Sequence, residues 1–557
     1  MIPRGPGISG GGNPPSPADT GLLADPVRLV VWGRLLAILL PLLLYAGSLA
    51  NDFLIDDETI VSSNIRLAPG QSPLEVFRRP EQFADFTLPY YRPVTNLSYW
   101  ADARLWNRQP FGFHLTNWGI HAVTTLLTFE FARGLTADPV LGLLAAILFA
   151  AHPMHTESVD MVQGRTDLLA TLFTLLSLLA LRRCLLAIGS WRALAAGAVS
   201  LVGLGGALLA KEIAVTWPVL AAGLWWARPG PRGPATRLAM FLVAAAAILA
   251  GYFTIRGAVL GGIVGADYRG LTMPHAGLVL ITLADYARLL LWPFSFSFIR
   301  PMAAPDTWHD PRILQSGFLL LGMLVGLAVL ARPDRLVVFA SGWTLITLTP
   351  VLNLFPIPGF AMAERYLYLP SVGFCLLAAT LFRRALLPAS TPKVQVPAVT
   401  LLATLVIAYT ATIQVRTAQW TDPVEVFEAM AGRTPTSFFV QSKLGLEYLK
   451  SGRAPDAVGA MLRARDLEPA NPAAWNNLGA ALAQSGRLAE ARRAYEQAIA
   501  LNARYAKAYE NLAQVLFALG DPIGARAASR TARTLHAAWQ DPQGRPVPQP
   551  APTPAGR

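Results

Sequence analysis

Charge is scarce in this chain. Only 14% of its 557 residues are Asp, Glu, Lys or Arg, against 53% hydrophobic, and lysine occupies just five positions. A single soluble core cannot absorb that much apolar surface at this length, which excludes an ordinary soluble enzyme. Cysteine is nearly absent. Cys184 and Cys375 both lie in apolar stretches and read as small buried hydrophobes, so no disulfide framework is implied. A basic patch interleaved with aromatics is missing too. The formal net charge of +12 comes mostly from Arg in short segments between apolar runs, where positive charge sets membrane orientation, so nucleic acid is not an expected partner. No small-residue cleavage site follows the first apolar run, which reads as an uncleaved anchor.

What the chain has in abundance is apolar runs of roughly 17–22 residues, the length that crosses about 30 Å of hydrocarbon. They recur to about residue 414 and then stop. The pattern predicts an all-α, polytopic membrane bundle followed by a soluble part. Spans are expected near 27–50, 114–131, 139–151, 166–182, 190–210, 213–227, 237–255, 312–331, 336–355, 366–382 and 396–414. The stretch 276–294 carries Asp285, Tyr286 and Arg288 in its middle. Reading it as an interfacial helix keeps Arg332, Arg335, Arg383, Arg384 and Lys393 on the cytoplasmic side and gives about eleven spans. The expected organisation is a Gly- and Pro-rich disordered lead (1–25), a membrane domain (26–415) with a large extracytoplasmic loop (50–113), an extracytoplasmic helical part (420–540) and a disordered Pro-rich tail (541–557).

The helical part repeats itself. Leu444, Leu478 and Leu512 recur every 34 residues, as do Gly452, Gly486 and Gly520, and Ala457, Ala491 and Ala525. AWNNLGAALAQSGRLAEARRAYEQAIALN, from Ala474, resembles the tetratricopeptide repeat, which implies a short α-solenoid whose concave face holds a peptide or protein. A rigid spacer or dimerisation block is the plainer alternative.

With the N-terminus cytoplasmic, unusual polar residues collect on the opposite side. Asp56 and Asp57 stand just past the first apolar run. The large loop adds Tyr90, Tyr91 and Arg92. After the third span come His152, His155, Glu157, Asp160, Arg165 and Asp167, after the fifth Lys211 and Glu212, and before the tenth Glu364 and Arg365. Carboxylates are costly at a membrane boundary unless tied to water, metal, a cation or a reaction. Adjacent helical residues do not face each other, so Lys211 and Glu212, like Glu364 and Arg365, need other partners. His114, Asn117 and His121 share one face of the second span and either extend a polar cavity or bond between helices. His152, His155 and Glu157, with Asp56 or Asp57, are a weak divalent-metal pattern, and hydrogen-bonded structural roles are the alternative.

The acid pair, YRPVTNLSYW, HPMHTESVDMVQGRTDLLA, KEIAVTWP, AERYLYLPSVGFCLL and the terminal repeats together resemble the transmembrane O-mannosyltransferases carrying tetratricopeptide repeats, and their bacterial relatives, within the GT-C glycosyltransferases. The resemblance covers most of residues 50–535. It implies a GT-C-type bundle, a polyprenyl-phosphate sugar donor, membrane lipid contact and an extracytoplasmic acceptor hydroxyl, with a protein Ser or Thr recruited by the repeats as the leading acceptor. It implies Asp56 or Asp57 as catalytic base, with Asp56 favoured. Arg165, Lys211, Arg365 and Arg92 are then the cations for the leaving phosphate, with His152, His155, Glu157, Asp167, Glu212 and Glu364 in support. One base suffices, since phosphate leaves without prior protonation while held positive charge stabilises it. Mannose is the sugar associated with the relatives. Richness in Arg and Ala with few Lys points to a bacterial inner membrane, with the active-site loops and repeats periplasmic. A glycolipid or envelope polysaccharide acceptor is the first alternative, and a non-enzymatic scaffold or transporter the second.

Overall fold

The computed structural model describes residues 25–53, 57, 60–61, 64, 67, 70–78, 81–82, 87–88, 90–187, 190–227, 233–261, 273–294, 300, 304–331, 334–352, 354, 362–386 and 392–538. Asp56 lies outside them, as do residues 1–24 of the expected lead and the expected tail (541–557). The chain begins with α1 (Pro26–Leu44). A first loop containing a minimal antiparallel ribbon, Glu81–Gln82 with Thr87–Leu88, leads to α2 (Pro93–Leu105) and α3 (Pro110–Thr136). Then come α4 (Pro139–Ala151), α5 (Thr156–Asp160), α6 (Arg165–Leu186), α7 (Ser190–Ala210), α8 (Trp217–Ala227), α9 (Ala235–Leu260), α10 (Met273–Leu291), α11 (Pro311–Ala331), α12 (Arg335–Leu348), α13 (Tyr368–Ala385) and α14 (Pro392–Gln419).

Several helices start by one local rule. Asp25 and Asp138 cap α1 and α4 by accepting from the amides of Val27 and Arg28 and of Val140 and Leu141. Each is followed by proline, whose missing N–H costs nothing in a first turn.

The chain is a multi-pass membrane protein. Seven described helices are long and apolar enough to cross a bilayer, or eight if Pro139–Ala151 and Pro153–Asp160, bent by 53°, count as one span. The eleven expected spans all coincide with helices, but not all with full-length ones. α8 has 11 residues and α12 has 14, short of the roughly 20 that a straight crossing needs. α3 has the length, yet it carries His114, Asn117, His121 and a run of threonines. The stretch expected to be interfacial contains a regular helix, α10, with an Asp285–Arg288 ion pair.

The bundle has an inner and an outer layer. In α6 and α13, 72% of the apolar window is buried within the protein, against 17% in α9 and 11% in α11 and α14. The exposed Met240, Val243, Phe318 and Val329 of the outer helices need lipid around them. Inner helices approach closely through small residues. A Cβ at Gly142 would lie 2.9 Å from the Phe129 carbonyl, and one at Gly373 would lie 2.6 Å from that of Ala340.

After α14 the chain turns at Trp420 into α15 (Pro423–Arg433), α16 (Phe438–Lys450), α17 (Ala454–Leu467), α18 (Pro472–Gln484), α19 (Leu488–Leu501), α20 (Ala506–Ala518) and α21 (Pro522–Ala538). The 34-residue period has a direct cause. Gly452, Gly486 and Gly520 take φ of 76°, 77° and 83°, the left-handed cap that closes the first helix of each pair. The next amide then reaches back, with Arg487 N donating to the Leu482 carbonyl at 2.9 Å and Asp521 N to that of Leu516 at 2.9 Å. Leu444, Leu478, Ala457 and Ala491 fill the core, which continues into the bundle through Trp420 and Met161.

Candidate active site

The segment after α4 folds as a buried elbow. Pro153 stops α4, a 3-10 turn (Pro153–His155) leads into α5, and a second (Val162–Gly164) leads into α6. The elbow delivers Glu157, Asp160, Arg165 and Asp167 into the bundle within eleven sequence positions, and other segments bring partners to each.

Arg365 donates to Glu157 twice, from Nη1 at 2.6 Å and from its backbone amide at 2.9 Å. Lys211 donates to both oxygens of Asp167, at 2.6 and 2.7 Å. Arg92 donates to Glu212 from Nε at 3.2 Å and Nη2 at 2.9 Å, and its guanidinium stacks 4.3 Å from the Tyr90 ring. Lys211 Nζ is 4.4 Å and the Arg365 guanidinium 5.5 Å from the centre of the Tyr366 ring. Each ion pair joins the two residue types that adjacency in the sequence forbids from pairing with each other.

These cations act on one another. Burial pushes the Lys211 ammonium down to about 8; Asp167 pulls it back, while Arg92 and Arg365 push the same way as burial. At Glu212 burial favours the neutral acid, but the charge and hydrogen bonds of Arg92 outweigh it and bring the carboxyl down to about 2. Three cations, each paired with a carboxylate, thus lie within mutual influence and are bordered by tyrosine faces.

Arg165 stands apart from this group. Its fully buried guanidinium meets Asp102 at 2.6 Å and donates to Asn117 Oδ1 at 2.7 Å, Ser98 Oγ at 3.3 Å and the Phe113 carbonyl at 2.8 Å. Asp102 is itself pushed up by burial and partly restored by Arg165 and Thr116. These contacts lock the large loop onto α3 and α6. Asn117 Nδ2 also donates to the Met161 carbonyl at 2.6 Å. The shared face of α3 thus divides between the elbow and Tyr368, which lies 2.7 Å from His121 Nδ1.

Asp57 is buried and accepts from the Gln163 amide at 3.0 Å, which brings it to the start of α6, with Gln163 four residues before Asp167. The histidines go elsewhere. His152 Nε2 donates to the Leu290 carbonyl at 3.1 Å, and His155 Nε2 lies 2.8 Å from Ser371 Oγ. Since Glu157 faces Arg365, these three do not converge, and no three His, Cys, Asp or Glu gather for a metal among the described residues. Among the described residues the donor set does not fit the divalent-metal alternative.

Residues 442–495 and 481–520 match two tetratricopeptide-repeat families. Protein O-mannosyl-transferase F38B6.6 of Caenorhabditis elegans is 28% identical over 460 residues, 78% of this chain and 63% of that protein. Human protein O-mannosyl-transferase TMTC4 is 27% identical over 510 residues, 78% of this chain and 66% of its own length. Mouse protein O-mannosyl-transferase TMTC2 is 35% identical over 146 residues, 25% and 17% of the two chains.

The homologues of this chain are protein O-mannosyl-transferases with tetratricopeptide repeats, of the GT-C class.

The chain spans just under two thirds of the two longer-matching mannosyl-transferase relatives. Among solved structures, a MamA protein matches at 25% identity over 21% of this chain and 67% of its own, with a TM-score of 0.20. Arg300, Arg416, Thr417 and Asp102 were missed as site members by sequence reasoning. Glu364 contacts Arg300 at 3.1 Å and Arg416 at 3.3 Å, and Arg416 Nη1 also donates to the Pro153 carbonyl at 2.6 Å. Thr417 Oγ1 donates to Asp160 at 2.9 Å. An arginine in the last turn of α14, just past the apolar run, and Asp102 between aromatics in SYWADARLW, were the available signals.

Proposed function

We propose that this chain is an inverting protein O-mannosyl-transferase. It takes mannose from a polyprenyl phosphate and places it on a Ser or Thr hydroxyl of a polypeptide, on the periplasmic side of a bacterial inner membrane. What supports this reading most strongly is that Lys211 and Arg365 meet at the Tyr366 ring with Arg92 acting on Lys211, and that Lys211 is paired to Asp167, four residues along the chain from the Gln163 amide that holds Asp57. The mannosyl-transferase relatives supply the sugar and the acceptor class.

Asp56 or Asp57 takes the acceptor hydroxyl proton. The acceptor oxygen forms a bond to the sugar's anomeric carbon as that carbon's bond to the phosphate oxygen breaks, and the electron pair leaves with the polyprenyl phosphate. Lys211, Arg365 and Arg92 hold the charge that develops there, an effect often worth several kcal/mol. Arg165 is a structural cation in this scheme and takes no part in phosphate binding. His152, His155, Glu157, Asp167, Glu212 and Glu364 fix the elbow and the cations. The lipid chain of the donor lies in the membrane beside α10. Three repeats joined to the same core favour a polypeptide acceptor over a glycolipid.

The test is transfer of radiolabelled mannose from polyprenyl phosphate to added polypeptide by the full chain in nanodiscs. Loss of a general base costs about 10²- to 10⁴-fold, so either Asp56→Asn or Asp57→Asn should lose that much while the protein still elutes as folded material. Unchanged turnover in both variants would overturn the assignment.

A further inference from the structure

Between the first loop and the first repeat lies a groove of about 380 Å³ lined by Asp52, Phe53, Asp422, Pro423, Val424, Glu447, Lys450 and Ser451. It opens where α15 leaves the bundle and α16 ends, and its other wall is the segment that runs directly into the acid pair. Phe53, Pro423 and Val424 give it apolar walls for a side-chain stem. Three carboxylates against one ammonium give it negative charge. Glu447 is mostly buried and accepts from Lys450 Nζ at 3.0 Å, and the Asp422 carboxylate caps α15 through the amides of Val424 and Glu425. A chain of n residues reaches at most about 3.6 Å × n, so Asp57 stands no further than about 14 Å from Phe53.

We propose that this groove seats a basic side chain of the acceptor polypeptide. The proposal rests on the reading of the chain as a transferase acting on protein hydroxyls, and adds a specificity to it. A long apolar stem with a cationic head matches the groove's apolar walls and acidic floor. Because Asp57 is four residues from Phe53, an extended acceptor anchored here keeps a hydroxyl within reach of it when the basic residue lies within about four positions of the Ser or Thr. A glycolipid headgroup would use neither the charge nor the spacing.

The test uses the full chain in nanodiscs and fluorescent Ser-containing peptides with Lys, Gln or Glu placed two to six residues from the serine. Binding is read by anisotropy and transfer by label uptake. The Lys peptide should bind about tenfold tighter than the Gln peptide, with transfer falling off at separations beyond four. Asp52→Asn combined with Asp422→Asn keeps an Asn cap on α15 and removes two charges. It should reduce that preference to under about twofold while Gln-peptide binding stays the same. Ser451→Trp, which fills the groove without touching a charge, should weaken both peptides. A Lys preference that survives the double Asn variant, or equal binding of Lys and Glu peptides to the wild type, would overturn the proposal. Failure of the transferase reading would show differently: charge-dependent binding sensitive to Asp52 and Asp422, with no mannose reaching any peptide.

Discussion

In the repeats, charged side chains pair with neighbours on their own helix: Arg487 with Glu490 at 2.7 Å, Lys507 with Glu510 at 3.1 Å, Arg492 with Glu496 at 2.7 Å, all about half exposed. In the bundle they pair across the fold. Glu157 meets Arg365 over a separation of 208 residues, Arg92 meets Glu212 over 120, and Asp167 meets Lys211 over 44, most of them buried. Surface pairs three or four apart cost little to break because water takes over each charge. Buried pairs hold their charges out of water, so each partner depends on the other. The repeats use charge for solubility, while the bundle uses it to fix geometry and, in the function proposed above, to hold cations around Tyr366 for a phosphate.

That contrast can be broken from either side. Arg165→Met strands the buried Asp102 carboxylate and should cost about 3–5 kcal/mol, read as a large drop in thermal unfolding of the detergent-purified chain. A drop below about 1 kcal/mol would mean that the guanidinium is not a structural charge. Gly486→Val forces a β-branched residue into the left-handed turn at φ 77°. It should destabilise the repeats by about 1–2 kcal/mol and leave the bundle transition in place. Arg487→Ala with Glu490→Ala removes an exposed pair and should not move either transition measurably.

These differences also explain what was legible beforehand. The repeat solenoid could be read because Leu444, Leu478, Leu512 and the three turn glycines answer to neighbours within one 34-residue unit. Helix positions in the bundle were legible too, since apolar length and Asp–Pro starts are local. Pairing was not. The sequence exposed Lys211 and Glu212 as residues needing partners, yet Asp167 and Arg92 as those partners are facts of the tertiary fold. Arg165 looked like Arg365 on paper, both being cations in recognisable motifs, and only the position of Asp102 beside Asn117 separates the two. His152 and His155 matched a metal spacing that the 3-10 turn dissolves by aiming them at Leu290 and Ser371. Span length was obscured for α8 and α12, where 3-10 turns at one end of each helix continue the apolar run without continuing the helix.

The most direct test of the central claim is the affinity of the full chain in nanodiscs for polyprenyl phosphate at pH 7 and pH 9, for wild type and for the charge-neutral exchange Asp167→Asn with Lys211→Gln. An ammonium lowered to about 8 is mostly charged at pH 7 and mostly neutral at pH 9, so wild-type binding should weaken roughly tenfold as pH rises through 8. The exchange keeps the hydrogen bond but removes the cation. It should bind about tenfold more weakly at pH 7 and show little further loss at pH 9. Equal affinity in the two proteins at both pH values would contradict the account, because Lys211 would then be one more buried structural charge like Arg165.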